Sequence, residues 1–378
     1  MSTKKKNAYV TLFMHNPNYI YGTITLGYSL KLTNTKYDLV CMVTDDLYEK
    51  YNKYLELVYD KIVKIPYVNF NEHSLTIKKH KEIYNEWYNI SYTKWECLKL
   101  TEYNKICFLD SDLLILKNID HLFEIDAPAA CFVNYWSEFG NNKNYYRNIK
   151  YGKKIPNEII KNALNSSFVL VAHCVILEPN INEYTEYKKF VFNNFIPSKR
   201  CISMLDEQAI TAFYMTLNKQ WTQLHYIYNT IPWKMSITNM KKSKDKIVLY
   251  QPYILHYFNK VKPWMDYNDE WIDIYIWYEF YNNLIKEFPD VKEIHNLSEI
   301  SINEHLAKYL NSKTNKQKKL CVFCNFIHYV FNTIEVINKD CSIIIKDLPE
   351  FSPDILIDLH NLDNNHKLID CLFLKNIL

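Results

Sequence analysis

The stretch "KICFLDSDLLIL", residues 105–116, sets two aspartates, Asp110 and Asp112, one serine apart inside an apolar run. Unbroken apolar runs mark strands buried on both faces, as in parallel sheets. Side chains alternate along a strand, so residues two apart leave it in the same direction. The spacing therefore predicts that Asp110 and Asp112 share one face at the carboxyl end of a strand. Ligands of open α/β sheets bind beyond that end. Two buried carboxylates are costly without a partner, and a divalent cation satisfies both. A helix cap beside a surface acid fits the same letters, so other residues must decide.

Outward from this stretch, strand and helix patterns alternate. "AYVTLFM" (8–14) reads as a first strand, followed by a helix with Ile20, Ile24, Gly27 and Leu30 on one face. Gly27 inside that helix costs about 1 kcal/mol against Ala and implies close packing against the sheet. "DLVCMVTDD" (38–46) is a second strand, 47–58 a helix and "KIVKIPYV" (61–68) a third strand. "SYTKWECLKLTEY" (91–103) reads as a helix with Ser91 as its N-cap. "AACFVNYW" (129–136) and "FVLVAHCVILEP" (168–179) are further strands, with a polar loop region (137–163) between them. "LDEQAITAFYMTL" (205–217) is a helix, 246–264 holds one more strand ending near His256, and 271–287 is a helix rich in Trp and Tyr. This alternation predicts an α/β fold with a mostly parallel sheet. The boundaries read as one domain over 1–288, a linker over 289–319 and a small C-terminal α/β unit over 320–378.

Composition removes several classes of function. The chain has 378 residues and a net charge of +3, too small to argue for nucleic acid. Its four glycines cannot spell a dinucleotide fingerprint or a P-loop, so side chains or a metal must grip any phosphate. Ten cysteines lie mostly in apolar runs, and the chain opens without a signal-peptide pattern. Reduced thiols in the cytoplasm follow, a host's cytoplasm in the case of a viral chain. No apolar stretch reaches the roughly 20 residues of a membrane span. The single C-x-x-C, Cys321 and Cys324, lacks a second pair and is read as incidental.

Three further residues bear on the acid pair. His256, after a strand in "YILHYF", is either an imidazole ligand or a packed core histidine. Carboxylate plus imidazole suits Mn²⁺ better than Ca²⁺. Lys262, on a turn stiffened by Pro263, is either a diphosphate contact or a solvated lysine, and Lys94 carries the same two readings.

Taken together, these stretches resemble glycogenin and its relatives, the family 8 glycosyltransferases. "AYVTLFMHNPNYIYGTITLGYSLK" is similar to the family's opening strand, nucleotide loop and first helix. "SYTKWECLKLTEYNKICFLDSDLLILKNIDHLFE" resembles its lysine-bearing helix, its D-x-D strand and the segment after it. "LDEQAI" resembles its acid–Gln helix start, and "HYFNKVKPW" its closing His…Lys-Pro-Trp motif. The blocks occur in order over about residues 8–264.

The resemblance implies a GT-A fold, a Rossmann-like sheet flanked by helices. It implies a UDP-sugar donor, Mn²⁺ (or Mg²⁺) and transfer with retention, with glucose the default hexose. It implies that Asp110, Asp112 and His256 hold the metal, while Ser111 touches the ribose. Thr11, Leu12 and Tyr19 would frame the uracil, and Lys94 would contact the donor. Lys262 and the backbone near Asn259 would bind the diphosphate, and Gln208 with the acid before it would face the sugar. The implied partners are the donor, a protein or glycan acceptor, and a second copy in a homodimer.

Three departures stand out. Val171-Ala172-His173 replaces the family's Asn-Ser/Ala-Gly, with His173 as the candidate substitute contact. Either Asp206 or Glu207 matches the family's acid, and neighbours on a helix point about 100° apart, so only one faces the sugar. Asn259 stands where the family has Gly. The stretch matching glycogenin's self-glucosylated segment, "NTIPWKMSITNMKKSKD" (229–245), has no tyrosine, which argues for another acceptor. The second reading is a catalytically weak sugar-nucleotide-binding or scaffold protein. A two-metal phosphohydrolase ranks last, because it needs more carboxylates near Asp110.

Overall fold

The computed structural model describes residues 6–69, 89–132, 151–166, 170–195, 205–230, 240–242, 246–250, 252–258, 262–265, 273–294, 342–346 and 355–357. The chain divides into two compact units, one of residues 1–113 and 118–225, the other of 114–117 and 226–378.

In the first unit, β1 (Ala8–Phe13), β2 (Asp38–Thr44), β3 (Lys61–Ile65) and β4 (Ile106–Leu109) run parallel. Among the described residues they belong to a seven-stranded sheet with β6 (Ala129–Phe132), β7 (Leu170–Leu177) and β8 (Thr222–Gln223), in the order β3-β2-β1-β4-β7-β6-β8. Only β7 is antiparallel to its neighbours. The apolar runs of β1, β2 and β4 are buried along nearly their whole length, as double-sided packing requires. Val10, Val40, Met42, Phe108 and Val175 pack with Trp95, Leu98, Tyr187, Ile210, Phe213 and Trp221 into one core.

Helices α1 (Ile20–Leu32) and α2 (Asp45–Leu55) follow β1 and β2. The expected single apolar face of α1 is too narrow a description, since every residue from Ile20 to Leu30 is buried. Its hydroxyls survive burial by bonding back to their own helix: Thr23 to the Tyr19 carbonyl (2.8 Å) and Thr25 to that of Tyr21 (2.7 Å). Gly27 packs against Tyr59 and Val58, in the turn after α2, rather than against the sheet as expected. Pro66 lacks an N–H to add to the ladder, and β3 ends at Ile65.

The expected helix over 91–103 is a 3-10 helix, Ser91–Lys99, and Ile90 rather than Ser91 stands at its cap. The tail of the expected loop over 137–163 is helix α3 (Asn157–Ser166), entered through Pro156, whose carbonyl accepts from Ile159 (2.9 Å). Helices α4 (Ile181–Asn193) and α5 (Leu205–Thr216) complete this unit. The segment after the acid pair is tied down by Asp120, which accepts from Tyr9 Oη (2.8 Å), Thr35 Oγ1 (2.5 Å) and the Lys36 amide (3.2 Å).

In the second unit, residues 114–117 come from β5 (Leu113–Ile115) and its sequel, and β5 pairs with β11 (Ile254–His256). The stretch 246–264 holds two strands instead of the expected one, β10 (Lys246–Tyr250) and β11, in different sheets. Pro252 lies in the break and has no N–H for a ladder. Strand β10 pairs antiparallel with β9 (Met240–Lys242) and parallel with β12 (Ser342–Lys346), which pairs antiparallel with β13 (Ile355–Ile357). Helix α6 (Asp273–Glu287) buries Trp277, which stacks on Tyr281 at 5.0 Å between ring centroids. The linker stretch 311–319 and the C-x-x-C lie outside the described residues. Among those described, no helix is long and apolar enough to cross a membrane.

Candidate active site

The acid pair does not leave a continuous strand. Strand β4 stops at Leu109, and 110–112 form a turn closed by the Leu113 amide on the Asp110 carbonyl (3.3 Å). The alternation argument fails here because the backbone turns before the second acid. The turn still sits at the carboxyl end of a central parallel strand. The Asp110 amide donates to the His173 carbonyl (2.9 Å), which fixes the motif to β7. Ser111 is buried, and Asp110 and Asp112 are half-buried.

Lys94 provides the counter-charge. Its Nζ lies 2.9 Å from Asp110 Oδ1, donates to the Ala172 carbonyl (3.2 Å) and sits over the Phe108 ring at 5.4 Å. Burial alone would push this ammonium down, but Asp110, Asp206 and Glu207 together hold it above its ordinary value. The Asp110 carboxyl is pushed up to about 6, with burial the largest cause and Asp112 adding to it, against the lowering pull of Lys94. One lysine is thus held charged by three carboxylates, of which Asp110 is in direct contact.

The start of α5 separates the two acids that the sequence left open. Asp206 is only 2% exposed. Its carboxylate accepts from Ser91, the residue expected to cap a helix, and from the amides of Asp206 and Glu207 at the positive end of α5. Burial raises its carboxyl, against these hydrogen bonds and Lys94. Glu207 is half-buried and accepts from the Ala172 amide through Oε1 (2.9 Å). Gln208 is buried. The Ala172 peptide is therefore held at both ends by site residues, its amide by Glu207 and its carbonyl by Lys94. Backbone groups leave no mark in a residue pattern, so sequence reasoning missed this. His173 is buried beside it.

At the end of β1, Thr11 and Leu12 are buried, and Thr11 Oγ1 has no hydrogen-bond partner among the described residues. A short 3-10 turn, Pro17–Tyr19, follows, capped by Asn16 Oδ1 on the Asn18 amide (3.0 Å), and leaves Tyr19 half-buried.

The other expected residues belong to the second unit. His256 is buried, and its Nδ1 lies 2.8 Å from Asn229 Oδ1. An amide oxygen only accepts, so Nδ1 is the donor in this contact, and in the neutral ring Nε2 then keeps the lone pair that a metal ligand needs. Asn229 was invisible to sequence reasoning because its partner lies 27 residues away. Lys262 is buried and donates to the Tyr257 carbonyl (2.9 Å). Asn259 lies outside the described residues.

Among the described residues, no three His, Cys, Asp or Glu side chains already form a metal cage. The carboxylates of the 110–112 turn are nonetheless the donor type that a hard or borderline divalent ion takes.

A mostly parallel sheet with an acid turn and a lysine at its carboxyl edge is the frame of an α/β enzyme, and comparison with known proteins makes the class specific. The model of glycosyl transferase family 8 matches residues 10–268. An uncharacterized protein of Acanthamoeba polyphaga mimivirus is 33% identical over 75% of this chain and 98% of its own length. Galactinol synthase 2 of Arabidopsis thaliana is 26% identical over 76% of this chain and 84% of its own. Glycogenin-1 of Oryctolagus cuniculus is 33% identical over 36% of this chain and 39% of its own. The chain belongs to glycosyl transferase family 8 and is a glycosyltransferase.

Proposed function

We propose that this glycosyltransferase moves a hexose, glucose by default, from a UDP-sugar to a protein or glycan acceptor, with retention and dependence on Mn²⁺. The observation that carries this reading is the D-x-D turn at the carboxyl end of a central parallel strand, with Lys94 2.9 Å from Asp110. Mg²⁺ is the alternative ion. Asp110, Asp112 and His256 are the residues that would hold it. Bound there, a divalent cation offsets the charge that develops on a departing diphosphate.

This chain's own residues do the remainder. Lys262, buried and braced by the Tyr257 carbonyl, offers a poorly solvated positive charge to a phosphate. Thr11, Leu12 and Tyr19 receive the base, and Ser111 the ribose. Lys94 contacts the donor from its seat on Asp110 and Ala172. Glu207 is the acid on the sugar side together with Gln208, because Asp206 is committed to Ser91 and to the start of α5. His173 takes the place of the family's small sugar contact. In the reaction the bond from the anomeric carbon to the diphosphate oxygen breaks, and one from that carbon to the acceptor oxygen forms on the same face. The acceptor's proton passes to the departing phosphate oxygen. Five buried free cysteines, Cys41, Cys97, Cys107, Cys131 and Cys174, support a cytoplasmic setting.

The test is a UDP-sugar panel with Mn²⁺, after chelation, and with Asp112→Asn. Transfer that stops on chelation and in the variant supports the reading. Full activity in either arm refutes it, and UDP binding without turnover of any sugar favours the binding-protein alternative.

A further inference from the structure

Tyr67 lies two residues past β3, and its phenol uses its whole hydrogen-bonding capacity on two neighbouring junctions, the loop after β1 and the β2–α2 junction. Oη accepts from the His15 amide (2.9 Å) and from Thr44 Oγ1 (3.3 Å), and donates to Asp46 Oδ2 (3.1 Å). A tyrosine hydroxyl has one donor and two acceptor positions, and all three are used. The groups come from just past β1, the last residue of β2 and the first turn of α2, so one atom ties the carboxyl ends of three adjacent parallel strands.

Two local rules are broken to make this junction. Thr44 stands at the N-cap of α2 with extended backbone (ψ 154°), yet makes no side-chain cap bond to its helix. His15 has φ +64°, a left-handed conformation uncommon outside glycine. Departures of this kind collect where a site needs a fixed shape. His15 lies between Leu12 and Tyr19, inside the loop assigned to the base.

We propose that Tyr67 is a positioning residue. By holding the left-handed turn at His15, it presets the β1 loop for the base of a nucleoside diphosphate. This rests on the donor reading above, and it concerns a residue outside the resemblance motifs. Without the phenol, the loop must be ordered when the donor binds, and affinity falls while the chemical step does not.

The experiment compares the full-length wild type with Tyr67→Phe, using UDP with Mn²⁺ as the probe. Hydrogen exchange of residues 14–19 should quicken in the variant. The Kd for UDP should rise about fivefold to tenfold, the loss of one good hydrogen bond, with KM for the donor following and kcat within about twofold. Adding His15→Asn, which tolerates the left-handed region better, should recover part of the affinity. Unchanged exchange, or unchanged Kd in a chain whose wild type binds UDP, overturns the proposal, as does a fall in kcat at constant KM. A wild type that binds no UDP overturns the donor reading itself and the donor part of this inference with it. Quickened exchange would then still support the clamp on His15.

Discussion

Gly27→Ala is the substitution on which helix propensity and packing disagree about the sign. Glycine inside a helix costs about 1 kcal/mol against alanine, so propensity alone predicts a more stable protein. In α1, however, a Cβ at this position would sit 2.8 Å from Tyr59 Cζ, 2.9 Å from its Cε2 and 2.9 Å from Val58 Cγ2. Side chains do not tolerate such distances, so the ring must shift. It is poorly placed to do so, because Tyr59 is 5% exposed and its hydroxyl donates to the Thr23 carbonyl (2.6 Å), one turn back in the same helix. Overpacking costs about 1–3 kcal/mol, and a displaced buried hydrogen bond adds about 1 kcal/mol. Set against the propensity gain, Gly27→Ala should destabilise by about 1–3 kcal/mol. Urea unfolding measures this as a lower midpoint at unchanged slope. In a Tyr59→Leu background the same substitution should be less destabilising, since only the Val58 contact remains, a coupling that identifies the ring as the larger cause. A higher midpoint for Gly27→Ala alone, or equal effects in both backgrounds, would refute the reasoning.

Three further predictions concern the site. Asn229→Ala removes the acceptor that fixes the His256 tautomer, so Mn²⁺ affinity read by electron paramagnetic resonance should fall about tenfold or more, while Asn229→Asp, which keeps an acceptor, should lose much less. Asp206→Ala strips Ser91 and the start of α5 of a buried acceptor and should lower stability by about 1–3 kcal/mol. Glu207→Gln keeps an oxygen for the Ala172 amide, so its melting temperature should stay near wild type while turnover drops; the reverse pattern would reassign the acid of the sugar side.

The family and the sheet were legible in the letters because their signals are local. Apolar runs such as "DLVCMVT" and "ICFL" mark strands buried on both faces, and ordered motifs from "AYVTLF" to "VKPW" mark the family wherever the loops go. The same local rules misjudged places where tertiary contacts override them. Ser91 looked like a cap, but its hydroxyl serves Asp206, more than a hundred residues on. Asp110 and Asp112 looked like one face of a strand, but the chain turns at Asp110.

The sequence by itself determined which residue types are on offer: two acids, a lysine and an acid–Gln pair in the first unit, a histidine and a second lysine in the second. Only the tertiary structure decided how each is held. It put Lys94 on Asp110 and on Ala172, 78 residues away, gave Glu207 the Ala172 amide, fixed the His256 proton with Asn229 and joined three strand ends through Tyr67. Periodicity reports which side of its own element a residue occupies. It is silent about pairs from distant parts of the chain, and those pairs set charge, tautomer and backbone shape here.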